Sequence, residues 1–341
     1  MILFVLIWII IVLYKASICD KCSNPLSKEN VLAVRGICAF EIMLGHLGVA
    51  TESVFLYPNR KAGILFVGVF FVLSGYGLAY SVATNKDYIK TFIKNRIPKI
   101  LVPAFVIYII YILLQHIFNG GAKVSYIDAL NPLAFFDATN WYVWELVGLY
   151  ILFWICVRFD ILKKNYLLIL AVSLVFVCVA YVCEIGKTWY GSTLCFWQGL
   201  MLFEAQEKFK RYFVSKHPFL NIVVLGVLTC VSIALFYFLD EGSIVGNVIA
   251  RNVASISFSY MIIIILYCAQ IGNNVSKWLG KYSYEIFLFH PFFILLFREI
   301  VNNDIVFSLV VIFSSCLASY IYRNCANAMK RLMQSWRDDR E

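Results

Sequence analysis

The chain has 341 residues, of which 62% are apolar, 17% aromatic and only 14% charged. This balance excludes a water-soluble globular domain, whose surface needs far more charge. The formal net charge is +9, but the basic residues are dispersed over many short connections, which argues against nucleic-acid binding.

Long apolar stretches follow one another along the chain. In lipid, every backbone polar group must be satisfied within the protein, so such stretches predict helices of about 20 residues each. We therefore predict an all-α, polytopic transmembrane bundle of about eleven helices, at residues 2–18, 31–48, 62–83, 98–118, 139–159, 165–183, 189–206, 218–239, 246–270, 282–298 and 305–323.

The connections are too short to hold a folded soluble domain. We divide the chain into an N-terminal anchor helix with its linker (1–30), a membrane domain (31–325) and a charged cytoplasmic tail (326–341). The first apolar run lacks a basic residue before it and is followed by lysines, unlike a cleaved signal; its removal, or its lodging at the interface, is the alternative. Cys19 and Cys22 are interpreted as incidental thiols, because zinc would need two further ligands nearby.

The basic residues predict the orientation. When successive connections are assigned alternately to the two sides, one side holds only six of the 29 Lys and Arg residues: Arg60, Lys61, Lys123, Lys187, Arg251 and Arg298. By the positive-inside rule, the N-terminus lies outside and the C-terminus in the cytoplasm of a cell membrane.

The second predicted span carries three ionisable residues, Arg35, Glu41 and His46. Such groups are costly inside hydrocarbon and mark functional sites by default. The spacing of Arg35 and His46 places both on one helix face, about 16 Å apart. This suits a ligand held by its anionic end at Arg35, with its reactive end at a histidine base. A snorkelling arginine and a structural histidine fit the same spacing, and Glu41 faces other helices.

The third and fourth predicted spans add hydroxyl and basic residues. Ser74 and Tyr76 end an aromatic run whose small residues permit close helix packing. Arg96 and Lys99, three positions apart, share a face at the cytoplasmic mouth of the fourth span. Together with Arg35 they suit phosphate binding, with arginine acting bidentately. The positive charge of a cytoplasmic loop explains the same residues more simply.

Two further clusters lie in the fifth and tenth predicted spans. The fifth begins with Trp141, Tyr142, Trp144 and Glu145, a composition typical of an interfacial aromatic belt and also of surfaces on which sugar rings stack. The tenth contains His290, a second histidine inside the membrane, which fits a structural role as well as a catalytic one.

Five motifs that occur in order resemble the integral membrane acyltransferase family 3. They are Arg35 and His46 at their spacing, the Phe-Phe-Val-Leu-Ser-Gly run ending at Gly75, Arg96-x-x-Lys99-x-x-x-Pro103, Trp141-Tyr142-x-Trp144, and Tyr282-Ser-Tyr284-x-x-Phe-Leu-x-His290-Pro291. Each motif alone is weak, but their order over residues 31–323 makes the match specific. The resemblance implies a ten-helix protein that moves an acyl group, commonly acetyl, from coenzyme A onto a hydroxyl of a cell-surface or exported glycan.

The resemblance implies a role for each candidate residue. His46 is the expected base or proton shuttle, with Glu41, Ser74 and His290 as weaker catalytic candidates. The expected donor phosphate ligands are Arg35, Arg96 and Lys99. The expected acceptor-binding residues are Trp141, Tyr142, Trp144 and Glu145. Oxyanion donors would come from Ser74, Tyr76 or helix backbone.

The resemblance also sets the expected partners. Acetyl-CoA or another acyl-CoA is a co-substrate rather than a bound cofactor, no metal-ligand spacing is present, and the acceptor is a polysaccharide or its lipid-linked precursor. The chain departs from the family at Gly68-Val69, where many members have an acidic residue, and at Lys99, which is often Arg. The alternative function is a transporter or flippase of a glycan or lipid intermediate, which would show inverted repeats or paired broken helices.

Overall fold

The structure, a computed structural model, describes residues 2–18, 25–57, 59–85, 87–118, 141–159, 166–239 and 243–338. The predicted pair Cys19 and Cys22 lies outside these residues. Twelve helices of eight or more residues are described: α1 (Ile2–Leu13), α2 (Lys28–Thr51), α3 (Asn59–Thr84), α4 (Phe92–Phe118), α5 (Trp141–Arg158), α6 (Leu167–Val182), α7 (Leu194–Glu204), α8 (Pro218–Phe238), α9 (Arg251–Cys268), α10 (Asn274–Lys281), α11 (Ser283–Arg298) and α12 (Asp304–Asp338).

The prediction of an all-α membrane bundle is confirmed. Within the described part of the chain, seven helical stretches are long and apolar enough to cross a membrane. The other four predicted spans are also helices, but they have 12 (α1), 16 (α6), 11 (α7) and 16 (α11) residues. A helix of 12 residues rises about 18 Å, which is less than the roughly 30 Å of hydrocarbon. As a helix alone, α1 therefore does not reach across.

The centre of the bundle is α3, which packs against α2, α7 and α9. Its crossing with α7 depends on two glycines. A Cβ added at Gly75 would overlap the Phe196 carbonyl oxygen, and one added at Gly199 would overlap the Val72 carbonyl oxygen. The small residues of the third span therefore serve close helix packing, as their composition predicts.

A second glycine contact joins α10 to α2. A Cβ at Gly36 would overlap the Ser276 carbonyl oxygen, and one at Gly280 would overlap that of Leu32. Near the same end, Lys277 forms an ion pair with Glu29. Because the backbones of α2 and α10 are in direct contact here, α2 cannot rotate about its axis. The direction of the neighbouring Arg35 side chain is therefore fixed.

The first helix is anchored through Glu41. Trp8 Nε1 and Asn59 Nδ2 each donate a 2.8 Å hydrogen bond to one oxygen of the Glu41 carboxyl group, so α1, α2 and α3 meet at one buried node. Beyond α1, the strand β1 (Ser17–Ile18) pairs antiparallel with β2 (Ala269–Gln270). The N-terminal segment is thus an integrated layer of the bundle.

The last helix, α12, continues past the predicted end of its span. Its 35 residues rise about 52 Å, so roughly 20 Å extends beyond a 30 Å hydrocarbon layer. The predicted tail is therefore helical as far as Asp338.

Candidate active site

The two histidines of the second and tenth predicted spans meet. His46 Nδ1 on α2 lies 2.8 Å from His290 Nε2 on α11, and the ring centroids are 4.9 Å apart. The His290 side chain is fully buried, whereas His46 is exposed although Gly45 and Leu47 beside it are buried. The pair thus has one enclosed and one accessible member.

The hydrogen bonds assign the protons of this pair. His290 Nδ1 lies 2.9 Å from the Ile286 carbonyl oxygen, which only accepts, so this nitrogen carries a hydrogen. In the neutral ring, His290 Nε2 is then an acceptor, and His46 Nδ1 must donate to it. The lone pair of His46 therefore lies on Nε2, the nitrogen that faces away from His290, and this atom can accept a proton from a substrate.

Close helix contacts fix the position of His46. A Cβ at Gly45 would lie 2.6 Å from the Asn59 carbonyl oxygen, and one at Gly48 would lie 2.8 Å from that of Leu56. The start of α3 therefore presses directly against the last turns of α2. This contact holds the α2 helix in the rotation that directs His46 toward α11.

Aromatic rings connect Arg35 with the histidine pair. The Arg35 guanidinium carbon lies 6.0 Å from the centre of the Phe70 ring. The Tyr142 ring lies 6.3 Å from Phe70 and 4.9 Å from Phe287, which in turn contacts His290 edge-on at 5.8 Å. These rings therefore lie between Arg35 and the histidine pair, the two functional ends predicted from sequence.

The Tyr142 ring is therefore not in an interfacial belt. Tyr142 and Glu145 are only 5% and 6% exposed, and Tyr142 packs against Phe71, in the middle of α3, at 5.2 Å. The belt interpretation placed this motif at the outer end of the fifth span. The start of α5 instead lies deep in the bundle, where the Tyr142 ring contacts Phe71 and Phe287.

A second polar group lies at the middle of α5. Tyr150 experiences the charges of both Arg35 and Arg96, and the Ser74 hydroxyl is within hydrogen-bonding reach of it. Arg96 Nε donates a 2.7 Å hydrogen bond to the Tyr88 hydroxyl. The charges of two of the three predicted phosphate ligands thus act on one tyrosine, and the third ligand, Lys99, is exposed.

Other candidates lie apart from the histidines. Asn59 contacts Gly45, so Ser74 lies about 22 Å farther along α3 from the level of His46. Tyr76, beyond it, donates to Gln206 Oε1 at 2.7 Å. Neither hydroxyl is placed to stabilise an oxyanion beside His46. Glu41 uses both oxygens to hold Trp8 and Asn59, which fits a structural role.

Glu145 is buried rather than exposed at the surface of the histidine site. Neither of its carboxyl oxygens has a hydrogen-bond partner of good geometry among the described residues. The Thr193 hydroxyl lies near it and donates to the Trp189 carbonyl oxygen at 3.2 Å. Trp141 and Trp144 are half-buried beside it.

Two residues of the site, Tyr150 and Tyr88, escaped prediction from sequence. Tyr150 is one of several aromatic residues in an apolar helix, and Tyr88 lies in the turn before α4. The only sequence signal for Tyr150 is its period: it lies eight residues after Tyr142, about two helical turns, and so shares that face.

The face of α2 between Arg35 and His46 is closed. Ala39 and Ile42, which lie on this face, have exposed fractions of 0% and 2%. Side chains therefore fill the space between the arginine end and the histidine end, and a ligand that reaches both must displace them.

Comparison with known proteins gives one match. The model of a family described as an acyltransferase domain matches residues 30–323. No match is found among curated proteins or among solved structures. The matched range contains every candidate residue from Arg35 to His290 and leaves α1 outside.

Proposed function

Since the chain belongs to this acyltransferase domain family, we propose that it moves an acetyl group from cytoplasmic acetyl-CoA to a hydroxyl of a cell-envelope or exported polysaccharide, or of its lipid-linked precursor. The family and the apolar helices make the chain a multi-pass membrane acyltransferase. The observation that carries the finer proposal is the 2.8 Å contact between His46 Nδ1 and His290 Nε2, which leaves His46 Nε2 as a base.

The transfer is a single displacement on the thioester. The acceptor hydroxyl gives its proton to His46 Nε2 while its oxygen bonds to the thioester carbonyl carbon. The carbon–sulfur bond then breaks, and coenzyme A leaves as a thiolate that takes the proton from His46. Both histidines return to their starting tautomers, because His290 keeps its hydrogen bond to the Ile286 carbonyl oxygen.

Arginines at the other end are suited to the phosphates of coenzyme A. The charges of Arg35 and Arg96 both act on Tyr150, so this region of the bundle favours an anionic ligand. Guanidinium groups bind phosphate bidentately. Arg35 and His46 are about 16 Å apart on one face of α2, so one extended molecule contacts both if it displaces the side chains packed over Ala39 and Ile42.

The test is the acetyl content of the surface glycan in cells whose own gene is replaced by a variant. We expect wild type to restore acetylation, whereas His46→Ala and Arg35→Ala are present in the membrane and inactive. His217→Ala is the matched control, since His217 is exposed at the start of α8. Normal acetylation by His46→Ala would contradict the mechanism and make transport the leading function.

A further inference from the structure

Among the described residues, two ion pairs join α11 to α12. Arg298, the last residue of α11, pairs with Asp304 in the first turn of α12 at 2.8 Å. Farther along α12, Arg323 pairs with Glu285 in the first turn of α11 at 3.3 Å. Both pairs connect the same two helices, whereas the second lies at the end of the bundle that holds Arg35.

The Arg323 side chain binds two partners. Its Nη1 donates to Glu285 Oε2 and to the carbonyl oxygen of Lys281, the last residue of α10. A cation at this end of a helix satisfies a terminal carbonyl group and interacts favourably with the helix dipole. The end of α10 and the Glu285 carboxylate are therefore both held by one side chain of α12.

The end of α10 lies against the turn of α2 that carries Arg35. A Cβ added at Gly36, the neighbour of Arg35, would lie 2.6 Å from the backbone nitrogen of Gly280. Arg35 is also close enough for its charge to act on the Glu285 carboxyl group. The charges of Arg35 and Arg323 thus act on the same carboxylate from two different helices.

The carboxylate is paired with Arg323 and not with Arg35. Arg35 contacts the Phe70 ring, and it forms no ion pair with any described residue. Glu285 is buried, with an exposed fraction of 7%, so its charge needs a partner. Since the charge of Arg35 reaches Glu285, Arg35 is the group that would pair with this carboxylate if Arg323 were absent.

We propose that Arg323 is a positioning residue for the donor site: it holds the Glu285 carboxylate and thereby leaves Arg35 available to the phosphates of the acyl donor. This inference rests on the proposed function and adds to it a residue that does not touch the substrate. Carboxylate and phosphate compete for one guanidinium group, because both are bound by the same planar set of N–H donors. Without Arg323, the acyl donor must displace Glu285 from Arg35 in order to bind.

The test measures binding of coenzyme A to the full chain in lipid nanodiscs. Glutamine at position 323 loses the charge but can still donate to the Lys281 carbonyl oxygen. We expect Arg323→Gln to raise the dissociation constant about tenfold, which corresponds to one hydrogen bond between charged groups. Adding Glu285→Gln should restore it to within about twofold of wild type, because the two residues act through one ion pair. Failure of the second change to restore binding would overturn the proposal.

Glu285→Gln alone distinguishes positioning from packing. An ion pair that matters only for packing is lost equally when either partner is changed. Under the proposal, removal of the carboxylate leaves nothing to pair with Arg35, so we expect Glu285→Gln to bind coenzyme A at least as tightly as wild type. Weaker binding by Glu285→Gln would overturn the proposal, also in the event that Arg323→Gln does not fold.

Arg298→Gln is the matched control, because it breaks the ion pair with Asp304 that joins the same two helices elsewhere. We expect it to leave coenzyme A binding unchanged, and equal weakening in Arg298→Gln and Arg323→Gln would contradict a specific role of Arg323. Failure of wild type to bind coenzyme A would instead overturn the proposed function. Normal binding by both wild type and Arg323→Gln would overturn this inference alone.

Discussion

His290 holds the proton of His46 on Nδ1 and is best described as a positioning residue. Replacing it by leucine removes the only acceptor that the described residues give to His46 Nδ1, so the ring is free to take the wrong tautomer. We expect His290→Leu to lower kcat roughly 10²- to 10⁴-fold, the range of general base catalysis, with little change in the KM for acetyl-CoA. Initial-rate kinetics on purified protein measure both.

A conservative variant distinguishes positioning from simple packing. Glutamine at position 290 retains an oxygen able to accept from His46, so His290→Gln should recover part of kcat while packing no better than leucine. Equal activities of the two variants would show that the hydrogen bond is unimportant.

Arg35 is expected to act on donor affinity rather than on proton transfer. Lysine keeps the charge but loses the planar fork, so Arg35→Lys should raise the KM for acetyl-CoA by about tenfold, in line with a lost charged hydrogen bond of about 1.5 kcal/mol. Lys90→Gln is the control, since Lys90 is exposed and pairs with Asp87. A larger KM effect at Lys90 than at Arg35 would place the phosphates elsewhere.

At the scale of single residues, the sequence indicates which residues belong to the site but not which of them contact one another. Helix periodicity correctly predicts that Arg35 and His46 share a face. It does not predict that His46 meets His290, because the two residues are 244 positions apart and the contact depends on how α11 crosses α2. Periodicity also does not predict that Glu41 contacts Trp8 and Asn59, because these contacts depend in the same way on how the helices pack.

Among the elements, α1 is expected to be retained as part of the folded protein. Trp8→Phe removes one donor to Glu41 and should lower the free energy of unfolding by about 1–3 kcal/mol, the cost of leaving a buried acceptor without its donor. Thermal unfolding in detergent measures it. In the Glu41→Gln background the same change should cost less; an equal cost in both backgrounds would mean that Trp8 contributes through packing alone.

Glycine contacts between elements give a paired test. Gly36→Ala places a methyl group on the Ser276 carbonyl oxygen and should destabilise the protein by about 1–3 kcal/mol. Gly77→Ala meets nothing within 4 Å and should stabilise α3 by about 0.5–1 kcal/mol. We expect the two variants to shift the midpoint of thermal unfolding in opposite directions. A stabilising Gly36→Ala would show that α10 does not press on α2.

Element positions were predictable where hydropathy alone decides them. The spans predicted at 218–239 and 282–298 agree with α8 and α11 to within one residue. The crossing of α7 with α3 and the deep start of α5 depend on tertiary packing instead: α7 crosses α3 at a close glycine contact, and α5 begins against Phe71. Hydropathy does not encode either constraint.

The whole molecule carries a prediction about orientation. With the basic residues on the cytoplasmic side, a single cysteine at Cys325, exposed on α12, should react with a membrane-impermeant maleimide only after the cells are permeabilised. A cysteine replacing Val54, which is 80% exposed, should react in intact cells. The reverse pattern would invert the topology and with it the sides assigned to donor and acceptor.

At the level of the whole chain, composition and charge were sufficient for the class of protein, and five dispersed motifs were sufficient for the family. Neither source predicts that the aromatic motif at Tyr142 lies in the interior, because the position of α5 along the bundle axis leaves no trace in its residues. The site is formed by several helices, and their relative positions along the bundle axis are determined only by the fold.

The filled space around Ala39 and Ile42 has a consequence for the permeability of the membrane to ions. An enzyme that receives its donor from one side and serves an acceptor on the other would, with an open passage, let protons and ions run down the electrochemical gradient. Because Ala39 and Ile42 are buried on this face, and because charges cross hydrocarbon only at high cost, we expect no ion leak along it between turnovers.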